Sequence, residues 1–266
     1  MPRLEVVEIH HIRFHEEVDL ARVAALVERL GADRALRHPP IVARLPGTER
    51  LLLDGANRIE ALIRMGIRHA LVQTETLDDP ALRLSRWNHV IRRRDAKALV
   101  SAPPPGIRPL ADGAADPTGR PPLCTLLLPD GREIRFLGPE GLLPRAAALR
   151  EIATRHTHPR ARLDRIAHRD LEQVRLSHPE FGGVLVYSDV SKDQVLRVAA
   201  ASGRLPSGVT RFLVPHRVLG FNLPLAFLQM DLPLREKRRR LAGLVAERFD
   251  SGRVRYYAEP VFVFDD

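Results

Sequence analysis

An α/β fold of the mixed, α+β kind, arranged in two lobes, is predicted by three observations. Apolar residues alternate between strand-like runs and helical spacing along the chain, and the run Leu51-Leu52-Leu53 breaks at Asp54-Gly55 before the sequence resumes as a helix. A Pro- and Gly-rich stretch, Pro103-Pro104-Pro105-Gly106 through Pro121-Pro122, then separates one part from the next. At 266 residues, 44% of them hydrophobic, the chain can bury a substantial core and exceeds the usual length of one compact domain.

The elements follow in order. Leu4 to Ile9 is a first strand, ending in the polar stretch His10 to Glu17. Asp19 caps a helix whose apolar positions Leu20, Val23, Ala24, Val27 and Leu30 recur at helical spacing, with Gly31 as its stop. Pro40 to Leu45 and Arg50 to Leu53 flank Pro46-Gly47-Thr48-Glu49 as a hairpin. The helix Asn57 to Met65 leads into a strand at His69 to Gln73, and the first lobe is assigned to residues 1–94, up to Arg92-Arg93-Arg94. Residues 95–266 form the second lobe. There Cys124 to Leu128 and Glu133 to Leu137 bracket a Pro129-Asp130-Gly131 turn. Pro144 to His156 and Ser191 to Gly203 read as helices around a buried strand, Val184 to Tyr187. Val209 to Leu228 reads as strands and turns, Arg235 to Arg240 opens an amphipathic helix, and Pro260 to Phe264 is a last strand.

The formal net charge of +9 favours anionic partners such as nucleotides, phosphorylated metabolites or nucleic acid. Cys124 is the single cysteine, which excludes an intrachain disulfide framework and a multi-cysteine zinc site. The start of the chain carries no signal-peptide pattern and no apolar run is long enough to span a bilayer, so a cytoplasmic protein is expected.

The chemistry concentrates at Asp54-Gly55-Ala56-Asn57-Arg58. A helix that begins just after a strand aims unpaired N–H groups and its positive dipole end at whatever occupies the turn, with Arg58 in its first turn, so this is a phosphate seat. Asp54, at the strand end, stands where a metal ion or a nucleophile would be held. The sequence is neither the P-loop pattern nor the dinucleotide fingerprint.

The order of His15-Glu16 before a helix, Pro40-Ile41-Val42, and Asp54-Gly55-Ala56-Asn57-Arg58 with its helix and Met65-Gly66 resembles the ParB/sulfiredoxin nucleotide-binding fold. Within that superfamily the chain is similar to the free serine kinases. Ser85-Arg86-Trp87-Asn88-His89, Thr210-Arg211 followed by Val214-Pro215, and Val218-Leu219-Gly220-Phe221-Asn222 extend the likeness over most of its length. The resemblance implies a ParB/sulfiredoxin-like first lobe, a second α/β lobe whose C-terminal segment closes the cleft, and an active site between them. It implies phosphorylation of L-serine to O-phospho-L-serine with ATP or ADP as donor and Mg²⁺. Glu16 matches the family's catalytic base, Asp54 the acid at the phosphate turn and metal, Gly55, Ala56, Asn57 and Arg58 the phosphate loop, and Trp87, Thr210 and Arg211 the serine pocket. Some relatives carry histidines where Ala56 and Asn57 stand, and a histidine after the Thr-Arg pair where this chain has Phe212. A homodimer is compatible with the chain.

Bland readings compete. Glu16 or Glu17 reads from sequence chemistry alone as a solvated acid before a helix, and only the resemblance reverses this; Trp87 reads equally as lobe-interface core, and Arg211 as half of a surface ion pair. His10, His11 and His15 lack a helical ligand spacing and read as polar residues rather than a metal cluster; the Arg92–Arg94 and Lys237–Arg240 runs read as solvated faces. The rival function is a ParB-like DNA-binding regulator. It is disfavoured because residues 123 to 203 alternate strands and helices where a partition protein carries a helix-turn-helix domain. Sulfiredoxin chemistry would need a cysteine in the phosphate loop, where Ala56 stands.

Overall fold

The computed structural model describes residues 2–116, 119–155 and 164–258; the strand expected at Pro260 to Phe264 lies outside them. Two sheets carry the fold. In the first, the strands run in the order Arg3–Glu8, His69–Glu75, Ile41–Arg44, Arg50–Asp54 and Ile12–Arg13. The Ile41–Arg44 and Arg50–Asp54 pair is the expected antiparallel hairpin, while Ile41–Arg44 lies parallel to His69–Glu75.

The leucine run is explained by burial on both faces of this sheet. Ile41, Ala43, Leu51 and Leu53 point into one core, and Val42 and Leu52 into another. A strand covered on both sides needs no polar alternation, which is why this stretch reads as continuously apolar.

The second sheet is antiparallel throughout, in the order Asp164–Ile166, Asn88–Arg92, Phe181–Tyr187, Cys124–Leu127, Glu133–Leu137 and Arg108–Leu110. Its central strand, Phe181–Tyr187, is buried at every residue. One core is shared between the sheets: Leu51 and Leu53 of the first meet a cluster with Leu126, Phe136, Leu185 and Tyr187 of the second. The hairpin at Cys124 and the helix beginning after Ser191 stand where expected, the latter with Ser191 and Gln194 forming a reciprocal capping box. The Pro- and Gly-rich stretch contributes one short edge strand, Arg108–Leu110.

Two local expectations need correction, and one pair of strands was not expected. The first helix, Leu20–Asp33, runs through Gly31, whose missing side chain faces open space, and stops at Arg34, which takes the left-handed conformation (φ 52°). A single helical glycine costs only about 1 kcal/mol relative to alanine, too little to end a helix that buries Val23 and Leu30. Lys237 is not on a solvated face: it is 1% exposed, and its Nζ donates to the Leu228 carbonyl at 2.6 Å and meets His69 Nδ1 at 3.1 Å. The strands Arg83–Arg86 and Asn88–Arg92 are joined at Trp87, and the sequence reading assigned no element there.

The chain's return places the site. Phe221, Leu223, Leu225, Leu228 and Leu241 join Val6, Leu52, Ile59 and Leu71 in the core on the far face of the first sheet. Leaving the second sheet for that core, the chain passes through residues 205–213, which bond to both parts. Among the described residues no helix is long and apolar enough to cross a membrane.

Candidate active site

Glu16 and Thr210, 194 residues apart, meet on the wall of a cleft of about 860 Å³. The segment His15-Glu16-Glu17 is stitched to Leu205 by two backbone bonds, Leu205 N to His15 O at 2.7 Å and Glu17 N to Leu205 O at 2.8 Å. This register swings Glu16 under the turn 207–210. Its Oε2 accepts from Gly208 N (3.0 Å), and its Oε1 accepts from Val209 N (3.1 Å), Thr210 N (2.6 Å) and the Thr210 hydroxyl (2.5 Å). Oε1 is crowded and Oε2 is not, so spare acceptor capacity lies on Oε2.

The turn is fixed from behind. The Gly208 carbonyl bonds His89 Nε2 at 2.8 Å, and the Tyr187 hydroxyl bonds His89 Nδ1 at 2.8 Å. A carbonyl only accepts, so Nε2 carries the proton and Nδ1 accepts from the tyrosine. Trp87 N donates to Val209 O at 3.0 Å, and Thr210–Leu213 pairs antiparallel with Arg83–Arg86.

His15 is 4% exposed, with Nδ1 on the Leu52 carbonyl and Nε2 on Thr210 Oγ1, both at 2.8 Å. Burial pushes its pKa below the ordinary value, against the pull of Glu16 and of the Leu52 carbonyl. A neutral ring donates from Nδ1 and accepts at Nε2, so the single Thr210 proton faces two acceptors, His15 Nε2 and Glu16 Oε1.

The phosphate turn is built locally. Gly55 has φ 95°, and a Cβ there would stand 2.9 Å from Pro40 Cβ, so only glycine fits. The helix Ala56–Arg64 starts after it with no side-chain cap, which leaves its first N–H groups to face a ligand. Arg58 donates through Nη1 to the His38 (2.8 Å) and Pro39 (3.2 Å) carbonyls and through Nη2 to Asp54 Oδ2 (2.8 Å). Arg217 reaches the same Oδ2 at 2.7 Å. Burial would raise the Asp54 pKa, but the two guanidinium ions outweigh it and hold the carboxyl below its ordinary value. Asn57 Oδ1 accepts from Asp19 N at 2.9 Å, tying the turn to the cap of the first helix.

Glu16, Asp54, Gly55, Ala56, Asn57, Arg58, Trp87, Thr210 and Arg211 all line this one cleft. Arg211 lies over the Trp87 ring at 4.4 Å, and Phe212 packs edge-on against His15. Glu17 is not among the lining residues; its carboxylate pairs with Arg150. Arg165, Gly208 and Arg217 also line the cleft and were not singled out from the sequence, because no local motif marks them. Of the three histidines considered as a cluster, His15 goes to the cleft, whereas His10 and His11 converge with Glu8 to within 4.8 Å elsewhere.

Asp54 fits a divalent cation brought by a nucleotide. Both arginines meet Oδ2, so Oδ1 is the oxygen that remains, and Mg²⁺ asks for only one or two carboxylates beside phosphate oxygens and water.

The fold and cleft thus define a mixed α/β protein with an uncapped helix start facing a partly buried carboxylate. Comparison with known proteins narrows that class. No family model matches the sequence. The ATP-dependent L-serine kinase SbnI of Staphylococcus aureus is 22% identical over 98% of this chain and 97% of its own length. The structure of C-terminally truncated SbnI from that organism superposes with a TM-score of 0.70 at 20% identity, covering 92% of this chain and 97% of the other. A free serine kinase in complex with AMP gives a TM-score of 0.70 at 14% identity, over 85% and 93% of the two chains. The chain has the fold of these kinases.

Proposed function

We propose that the chain is a cytoplasmic kinase of free L-serine, transferring a phosphoryl group from ATP or ADP to the serine hydroxyl to give O-phospho-L-serine. The observation that carries this reading is the meeting of Glu16 and the uncapped start of the Ala56–Arg64 helix across one cleft, with Trp87, Thr210 and Arg211 on its wall. The likeness to SbnI along nearly the whole chain supports it.

In this reading the phosphate turn of the first sheet holds the nucleotide, while Trp87 and the 210–213 segment hold the amino acid, with the C-terminal segment closing the cleft. The N–H groups after Gly55 take the phosphates, and Asp54, fixed by Arg58 and Arg217, would hold Mg²⁺ through Oδ1. When bound, that ion supplies positive charge against the phosphate oxygens. Arg211, whose Cζ lies over the Trp87 ring, donates its N–H groups to the serine carboxylate. The serine Oγ forms its bond to the transferred phosphorus as the bond to the bridging nucleotide oxygen breaks. The electron pair leaves with the nucleotide, and the hydroxyl proton goes to Glu16 Oε2.

The test is incubation of the purified protein with Mg²⁺, L-serine and either nucleotide, with detection of phosphoserine by mass spectrometry. Phosphoserine that appears only when a nucleotide is present supports the reading. Its absence with both nucleotides would remove it.

A further inference from the structure

Phosphoryl transfer needs positive charge on the equatorial oxygens of the moving group, and this chain has no P-loop lysine to provide it. Several arginines line the cleft, and those near the phosphate turn are already committed. Arg58 donates to the His38 and Pro39 carbonyls and to Asp54, Arg217 donates to Asp54, and Arg211 is assigned to the serine carboxylate. Arg165 differs from these three in lying against the turn that holds Glu16.

It comes from the strand Asp164–Ile166 at the edge of the second sheet, paired opposite His89. Its guanidinium lies against the backbone of Gly208, so closely that a Cβ on Gly208 would fall 2.1 Å from Cζ and Nε. Its Nε is buried with no hydrogen-bond partner, and Nη2 has only a 3.3 Å contact with Ser207 Oγ. A buried donor left unpaired costs stability, and with Nε shut away it is the Nη groups that Arg165 can offer to the cleft it lines. Gly208 is also the residue whose N–H holds Glu16 Oε2, so one residue sets the position of both the carboxylate and the cation.

We propose that Arg165 is a catalytic residue of this kinase, donating to the oxygens of the phosphoryl group as it passes from nucleotide to serine, with Gly208 as the positioning residue that seats it beside Glu16. The proposal rests on the kinase reading. Arg165 forms no covalent bond; it offsets charge on a phosphorus whose bond to serine Oγ forms as its bond to the departing nucleotide breaks, while Glu16 takes the proton. A glycine at 208 is required twice over, by its φ of 73° and by the guanidinium on its face.

The experiment compares wild type with Arg165→Gln and Arg165→Lys. It measures kcat, the KM for L-serine, and calorimetric binding of the product nucleotide with and without aluminium fluoride, which mimics the transferring group. Wild type is expected to bind nucleotide more tightly when fluoride and serine are present. Arg165→Gln should lose about 100- to 1,000-fold in kcat and most of that tightening, with nucleotide affinity alone and the serine KM within about 3-fold. Arg165→Lys, which keeps the charge without the fork, should fall between. A merely bracing arginine would instead lower thermal stability and weaken nucleotide with and without fluoride in the same proportion, and that result, or a kcat within about 3-fold in folded variants, overturns the proposal. Wild type that makes phosphoserine while the variants match it removes only Arg165. Wild type that makes none removes the kinase reading and this inference together.

Discussion

The phosphate turn and the Glu16 pocket lie on one cleft but are built in opposite ways. At the turn, Asp54, Gly55, Asn57 and Arg58 are sequence neighbours, and Arg58 grips Asp54 one helical turn away. At the pocket, Glu16 is held by donors 192 to 194 residues distant, and the turn that supplies them hangs on His89 and Tyr187 of a different sheet. A locally built site can pre-form with its own lobe, whereas the base is in place only once the chain has returned through residues 205–213. The Glu16 pocket therefore depends on the whole fold, whereas among the described residues the turn takes only one hydrogen bond, Arg217 to Asp54, from the returning chain.

The largest effect should come from the pocket. Glu16→Gln replaces an acceptor of backbone N–H groups and removes the base, so turnover should fall by about 100-fold or more while calorimetry still detects nucleotide binding. Unchanged turnover would take Glu16 out of the mechanism. Glu17→Gln, one residue on but paired with Arg150 rather than lining the cleft, should lower turnover by less than about 3-fold.

At the turn the damage should appear as stability and nucleotide affinity together. Arg58→Ala leaves two carbonyls and half of Asp54's charge compensation without a partner, and should cost about 1–3 kcal/mol in denaturant unfolding and weaken nucleotide binding. If affinity falls with stability intact, Arg58 contacts the phosphate directly, and the local scaffold described for it would be wrong. Gly55→Ala forces a left-handed backbone and a Cβ against Pro40, and should be as harmful.

A smaller effect separates the regions by pH. His15, behind Glu16, has a pKa lowered from the ordinary 6.5 by burial, although Glu16 opposes the shift and Arg204 adds to it. The unfolded chain therefore binds that proton more readily. Its contribution to stability should be complete above about pH 6.5 and be lost as pH falls from there through the folded-state value. Denaturation midpoints of wild type and His15→Asn across pH 5 to 8 check this, and an identical acid slope in both would remove His15 as the cause.

The same contrast decides what could be read from the sequence. The hairpin ahead of Asp54, the Gly55 break and the helix after it were legible because their causes are local: an apolar run, a residue suited to positive φ, and helical spacing. The strands on either side of Trp87 were not, since Arg83–Arg86 and Asn88–Arg92 become strands through partners at 210–213 and 181–187. Lys237 sits in a run of charges that reads as solvated, and only the Leu228 carbonyl and His69, brought to it by the fold, account for its burial. Glu16, Trp87, Thr210 and Arg211 were reached through resemblance alone, and Arg165 and Gly208, which have no neighbouring signature, were missed.

The division of labour between the two regions is tested most directly by steady-state kinetics of Arg211→Ala. Loss of a clamp on the serine carboxylate should raise the KM for L-serine by about 10-fold or more and leave the nucleotide KM within about 2-fold. An equal rise in both, or a rise confined to the nucleotide, would contradict the assignment of the 210–213 segment to the amino acid.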